Sequence, residues 1–267
     1  MYEGLVKSYL NFCQIRKESY KTGVIDLSNR NLFYPTTFLP LCDHIKKHKQ
    51  TMGYIPPSDH TTCSYIDKII HPSNHQCHKS KSRMHIINLP KNDTTTANKT
   101  LCNLYPAENE WIIVGGKSTY TCIINEIVDN IYQHSEFNNA SAMAQKHDKE
   151  GFIELSFFDD GITISGSYEK HLGLEFDGTK AIMKAINGFS TKHEVGRGTG
   201  LYNSIKLVSE GMKGDVMIVS GDGMFYIKQS ENHSYKLDHE NNKLRGTLIS
   251  IRIPFQKKEV LWYEYIK

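Results

Sequence analysis

The sequence predicts an α/β protein: a C-terminal two-layer sandwich, in which a mixed sheet carries helices on one face, preceded by a smaller N-terminal α/β domain. Three observations predict it. Runs of β-branched and aromatic residues crowd the second half of the chain, at 151–158, 215–219, 224–227 and 247–253. Helical spacing marks 118–133, 179–186 and 200–210, so strands joined by tight turns follow helices gathered earlier, the pattern of a sheet covered on one side. A polar stretch from 56 to 100, with Pro56, Pro57 and Asn92-Asp93-Thr94-Thr95-Thr96, sets a boundary near residue 100. The two units are then 1–100 and 101–267.

In the first unit, Val24-Ile25-Asp26-Leu27 is short and β-prone, and Ser28-Asn29-Arg30-Asn31 is turn chemistry. Leu39, Cys42 and Ile45 recur at helical spacing. A helix is expected there, capped by Thr36 or Thr37, with Pro40 in its first turn. In the second unit, Ser118 or Thr119 suits the N-cap of helix 118–133. The run from Phe152 to Phe158 is a strand that ends at Asp159, and Gly221-Asp222-Gly223 is a hairpin turn.

The 267 residues are 39% hydrophobic and 23% charged, enough for a real core beneath an ordinary surface. The formal charge of +3 is too small to point to nucleic acid. The basic cluster from His44 to Lys49 reads as a solvated helix face. No run approaches the roughly 18 apolar residues that span a bilayer. Met1-Tyr2-Glu3-Gly4 lacks the basic-then-apolar pattern of a signal peptide, so the expected location is cytoplasmic, with no membrane partner. The six cysteines form no CxxC pair and are expected to be reduced. His60, Cys63, His71, His75, Cys77 and His78 are zinc-competent, but their spacing matches no common structural zinc pattern, and a polar loop is expected.

The stretch from Trp111 to Ser135 holds two candidate phosphate chemistries. Gly116-Lys117-Ser118 has the ending of a P-loop. That loop needs a glycine five residues earlier so that backbone N–H groups can curl around phosphate, and the position is Trp111. An indole does not fit such a turn. Further on, Ile124, Ile127, Val128 and Ile131 form one helical face that packs on a sheet. Glu126 and Asn130, four residues apart, stack on a neighbouring face, and His134 continues the stripe. A carboxylate and an amide oxygen side by side suit a water and Mg²⁺, which takes one or two protein oxygens and the rest from water and phosphate.

Two later segments extend this site. Asp159-Asp160-Gly161-Ile162-Thr163 places a carboxylate at a strand end, where it can accept from an exocyclic amine, with a glycine that lets a planar ring approach. Gly196-Arg197-Gly198-Thr199-Gly200 runs straight into a helix, where free N–H groups face an anion. It is not a dinucleotide fingerprint, because the third glycine of GxGxxG would fall on Leu201.

In this order the segments resemble the GHKL, or Bergerat-fold, ATPases: gyrase B subunits, heat-shock chaperone ATPases, histidine kinases and mismatch-repair ATPases. The resemblance covers about residues 108–255. Asn125-Glu126-Ile127-Val128-Asp129-Asn130 is similar to the N box, Asp159 to Thr163 to the DxGxG box, 196–200 to the GxGxG box, and Gly246-Thr247 to the closing Gly-Thr. Thr163 departs from the family by replacing the second glycine of DxGxG, in the hinge of the lid. The resemblance implies ATP and Mg²⁺ as ligands. Asn130 would hold the metal against the phosphates. Asp159 would bind the adenine amine with Thr247 assisting through a water. Gly161 and Thr163 would border the base, and Gly196, Gly198, Thr199 and Gly200 would line the triphosphate. A lid would run from about 165 to 195, with Lys192 and Arg197 as phosphate contacts. Glu126 would be the general base that activates water.

Three functions are compatible with such a site. One is ATP hydrolysis coupled to a conformational change, with a protein partner or a second copy of the chain as its recipient. Another is a serine/threonine protein kinase of the anti-sigma-factor type. The third is a nucleotide-gated regulatory module with little turnover, of which Thr163 would be the signature. A conventional histidine kinase is disfavoured, because the region before the site is polar and broken by Pro90 and Pro106. Residues 24–48 loosely resemble STAS domains, the substrates of anti-sigma kinases, with Thr36 and Thr37 near the acceptor position.

Overall fold

A computed structural model describes residues 4–30, 33–71, 84–91, 100–189, 200–228 and 231–265. The chain is α/β. Its first part contains helix α1 (Leu5–Thr22), strand β1 (Val24–Asp26), helix α2 (Pro35–His48), strand β2 (Gly53–Ile55) and helix α3 (His60–Ile70). Strands β1 and β2 pair in parallel as a small sheet. Then come β3 (Met84–Leu89), α4 (Lys117–His134), β4 (Ala140–His147), β5 (Phe152–Asp159), α5 (Ile164–Leu172), α6 (Gly178–Ile186) and α7 (Gly200–Lys206). Strands β6 (Asp215–Gly221), β7 (Gly223–Lys228), β8 (Glu231–Lys236) and β9 (Leu244–Pro254) follow. Helix α7 continues as a π-turn through Gly211, so the helical stretch expected over 200–210 is present in two geometries.

The large sheet has the order β3-β4-β5-β9-β6-β7-β8. Every neighbouring pair in it is antiparallel, where the sequence led us to expect a mixed sheet. The reason is topological. Strands β5 and β6, linked through α5, α6 and α7, do run parallel to each other, but β9 inserts between them and is antiparallel to both. The Gly221-Asp222 turn joins β6 to β7 as expected, with Gly221 at φ +60°. Strand β3 lies before the expected boundary at residue 100, yet it pairs along its whole length with β4. That boundary therefore does not separate the two sheets.

Both faces of the sheet are buried. On one face, Ile123, Ile127 and Ile131 of α4 pack with Leu155, Phe157, Ile218, Phe225 and Ile251. On the other, α1, α2 and α3 bring Tyr9, Phe12, Phe38, Leu41 and Ile66 onto Met143, Phe158, Met217, Val219 and Leu248. The helix layer expected on one face is present, and the N-terminal helices supply a second layer opposite. Burial on both sides leaves every residue of β5 buried, including the polar Glu154, Ser156 and Asp159, unlike an antiparallel strand with one wet face.

Helix α2 starts at Pro35, one residue before the expected caps. Its N-cap, Tyr34, makes no side-chain bond, and Pro40 sits beyond the first turn. The cap comes from another strand: Glu154 Oε1 accepts from Thr36 N at 3.0 Å and Thr36 Oγ1 at 2.8 Å. Glu154 also pairs with Arg252 Nε at 2.7 Å, both side chains buried. Thr37 donates to Ser8 O at 2.6 Å. Both threonines are at most 1% exposed, so neither presents a hydroxyl to an outside kinase in this fold. At the start of α4, Gly116 is the N-cap, and neither Ser118 nor Thr119 fills that role. Thr119 is buried and donates to Val260 O. No described helix is long and apolar enough to cross a membrane.

Candidate functional site

Helix α4 lies across the sheet with Ile123, Ile124, Ile127, Val128 and Ile131 buried. That places Asn130 and His134 on the flank facing the ends of β5 and β9. Strand register puts Asp159, the last residue of β5, opposite Thr247 of β9. Two glycines allow the backbone to close around them. A Cβ on Gly161 would fall 1.9 Å from Ser135 O, and one on Gly246 1.9 Å from Asp159 O; Gly246 also has φ +89°. Neither position accommodates a side chain.

These elements enclose a cavity of about 750 Å³, including its open mouth. Asn130, Asp159, Thr163 and Thr247 all line it, so four predicted site residues meet there. The remaining wall is mostly apolar, with Ile127, Ile131, Phe157, Ile162 and Ile164 among its contributors. Gly161, also a predicted site residue, is not among the lining residues; its N–H donates to Asp159 Oδ1 at 3.0 Å. Thr247 Oγ1 lies 3.0 Å from Ser220 Oγ. Asn130 Nδ2 donates to Glu126 O at 2.8 Å, which fixes the amide on the helix.

Asp159 is 2% exposed. Burial pushes its carboxyl up to about 7, and the neighbouring Asp160 adds to this, while bonds from Gly161, Ser135 and Thr247 pull it back. Asp160 behaves oppositely. Burial raises it, but bonds from Asn139 and Asn138, with Lys47 nearby, outweigh that and hold it below the ordinary carboxylate range. Asp160 accepts from Asn138 N, Asn139 N and Asn139 Nδ2 at 2.7–2.9 Å and lies 3.5 Å from Lys47. It anchors a loop, whereas Asp159 faces the cavity.

Thr163, at the second glycine position of the DxGxG-like segment, is the N-cap of α5. Its Oγ1 accepts from Gly166 N at 3.0 Å. Glu126 does not line the cavity; its carboxylate lies against the start of α7, where a Cβ on Gly200 would come within 1.8 Å of Oε2. Lys192, Gly196, Arg197, Gly198 and Thr199 lie outside the described residues, as do His75, Cys77 and His78 of the zinc-competent cluster. The described part of the expected lid is built largely of helices α5 and α6. Among the described residues no cluster of three metal-ligating side chains occurs. At the P-loop alternative, a Cβ on Gly116 would meet the Glu259 side chain at 2.6 Å.

Sequence reasoning missed Ser135, Ser167, Tyr168, Ala185, Phe189 and Leu201 as cavity residues. Tyr168 and Phe189 stack at 5.5 Å between ring centroids, and Tyr168 Oη donates to Phe189 O. Compared with known proteins, the chain matches no family model and no curated sequence. The site is therefore read from its own geometry.

Proposed function

We propose that the cavity binds ATP with Mg²⁺ and that Glu126 activates water to hydrolyse it, the cycle of binding and release driving a change of shape. The observation that carries this reading is convergence: Asn130, Asp159 and Thr247, from separate segments, line one hollow of about 750 Å³. An apolar wall with a few polar groups is the usual make-up of small-molecule sites. The Asp159 carboxylate would accept the adenine amine. Asn130 would take one position on Mg²⁺, whose preference for few protein oxygens fits a single amide. Glu126 lies one helical turn before Asn130 and reaches toward Gly200, the last glycine of the phosphate-binding-like segment. A carboxylate beside the terminal phosphate can take the proton of an attacking water.

Mg-ATP at a hundredfold excess over Kd should stabilise the protein by about 2.7 kcal/mol, a Tm rise of roughly 5–10 °C at this size. Asp159→Asn should abolish the rise, and Glu126→Ala should keep it while losing phosphate release. No rise for the wild type, or an equal rise in Asp159→Asn, overturns the reading. A gated module with little turnover is the second reading. Thr163 favours it, because a capped helix replaces the flexible second glycine. It wins if ATP binds and no phosphate is released. Labelled γ-phosphate appearing on a separate protein would instead mark a serine/threonine kinase.

A further inference from the structure

The basic run from His44 to Lys49 is not wholly a solvated helix face: two of its lysines reach across to the loop beside Asp159. Lys47 Nζ lies 2.7 Å from Asp43 Oδ2 on its own helix and 3.5 Å from Asp160 Oδ2. Lys46 Nζ donates to Asn139 Oδ1. Helix α2 therefore touches the segment that carries the cavity carboxylate, from the face of the sheet opposite α4.

The backbone on either side of Asp159 and Asp160 is knit to the loop after α4. Asp160 N donates to Asn139 O at 3.0 Å, and Ile162 N to Ser135 O at 2.6 Å. The Asp160 carboxylate accepts from Asn138 N, Asn139 N and Asn139 Nδ2, and these three donors keep it charged. A fixed negative charge next to the buried Asp159 opposes ionisation there. The charged groups of α2 around Asp160 are Lys47, Asp43 and Lys46. Asp43 shares the Lys47 ammonium; burial raises its carboxyl, Lys47 pulls it back, and Asp160 raises it further. Glu136, from the loop after α4, pairs with Lys170 of α5 at 2.5 Å.

We propose that Lys47 is a positioning residue for the base-binding carboxylate: by neutralising Asp160, it lets Asp159 meet the adenine amine as a charged acceptor. This rests on the ATP reading and adds to it that the N-terminal layer takes part in the site. Lys47 touches no ligand and acts through Asp160. Without it, a bare Asp160 stands beside Asp159, and like charges side by side disfavour each other's ionised form. The amine would then meet a carboxyl that holds its proton to higher pH and accepts less well.

The test is the Kd for Mg-ATP from pH 6 to 8.5 in the wild type, Lys47→Met, Lys47→Arg, Asp160→Asn and the double variant Lys47→Met with Asp160→Asn. Each variant is compared with the wild type at the same pH, which cancels the titration of the nucleotide itself. Lys47→Met should bind about threefold more weakly at pH 6 and equally at pH 8.5, because the ionisation of Asp159 moves up by about half a pH unit. Asp160→Asn should bind more tightly at pH 6, and Lys47→Arg should keep the wild-type profile. In the Asp160→Asn background, the Lys47 substitution should change nothing at any pH. A helix α2 that merely loosens would weaken binding at every pH. Such a uniform loss overturns the proposal and leaves the ATP reading standing. So does an unchanged profile in Lys47→Met, or an equal shift in the double variant. A wild type that binds no ATP overturns both.

Discussion

The carboxyl of Asp159 sits where water scarcely reaches, and the adenine amine proposed for this site would need it charged. In an unfolded chain it would titrate near 3.9; in the fold, burial moves it to about 7. The folded state thus binds this proton more tightly than the unfolded state. Its contribution to stability is full below about pH 4 and is lost as pH rises through about 7. The shift corresponds to roughly 4 kcal/mol. Asp159→Asn has no such proton, so its Tm should exceed that of the wild type by several degrees at pH 8.5 and by much less at pH 5. A constant Tm difference across that range would show that Asp159 does not titrate in this window. An amine that donates to the carboxylate favours its charged form. Mg-ATP binding at pH 6.5 should therefore release protons, visible as a calorimetric enthalpy that changes with the ionisation heat of the buffer. At this scale the order of motifs in the sequence singled out Asp159, and strand register separates it from Asp160. The contact of Lys47 with Asp160 was not legible, because an ion pair between distant segments leaves no trace in residue spacing.

Helix α2 lies along the back of β5, gripped near both ends. Glu154 caps its N-terminus, and Lys47 approaches Asp160 beyond the strand's C-terminus. The Glu154–Arg252 pair is sealed from water, with the guanidinium stacked over Tyr34 and Phe152 at 4.8 and 4.7 Å. Removing one partner strands a buried charge and typically costs 3–5 kcal/mol. Glu154→Leu should fall in that range by urea denaturation. The pair Glu154→Leu with Arg252→Met should cost markedly less, and an additive result would deny the coupling. Helix α4 was legible because Ile124, Ile127, Val128 and Ile131 keep helical period. The cap of α2 was not, because its acceptor lies 118 residues away. Helix α5 escaped notice for a local reason: it is nine residues long and carries Gly166 near its start, so only the Thr163 cap announces it. Strand β3 was hidden in a polar region, where one short edge strand has too little pattern to stand out.

At the scale of the molecule, the N-terminal helices and the sheet share one core. Cutting at residue 100 removes β3 and bares Met143, Phe158, Met217, Val219, Met224 and Leu248. At about 1.5–3 kcal/mol for each buried side chain, the loss is on the order of 10 kcal/mol, as large as the whole stability of an ordinary domain. Residues 101–267 expressed alone should therefore aggregate or lack a cooperative melt, and a monomeric, sharply melting fragment would contradict the shared core. The class and the run of strands were legible from composition and period. How the layers stack was not, because which face meets which helix depends on contacts between distant segments. Strand β9 has a further consequence for biosynthesis. It occupies the middle of the sheet although it comes last of the strands, so while a nascent chain is being made β5 and β6 flank an empty slot. Only after residue 254 has left the ribosome can the two halves be joined; until then both inner margins are sticky templates for stray strands.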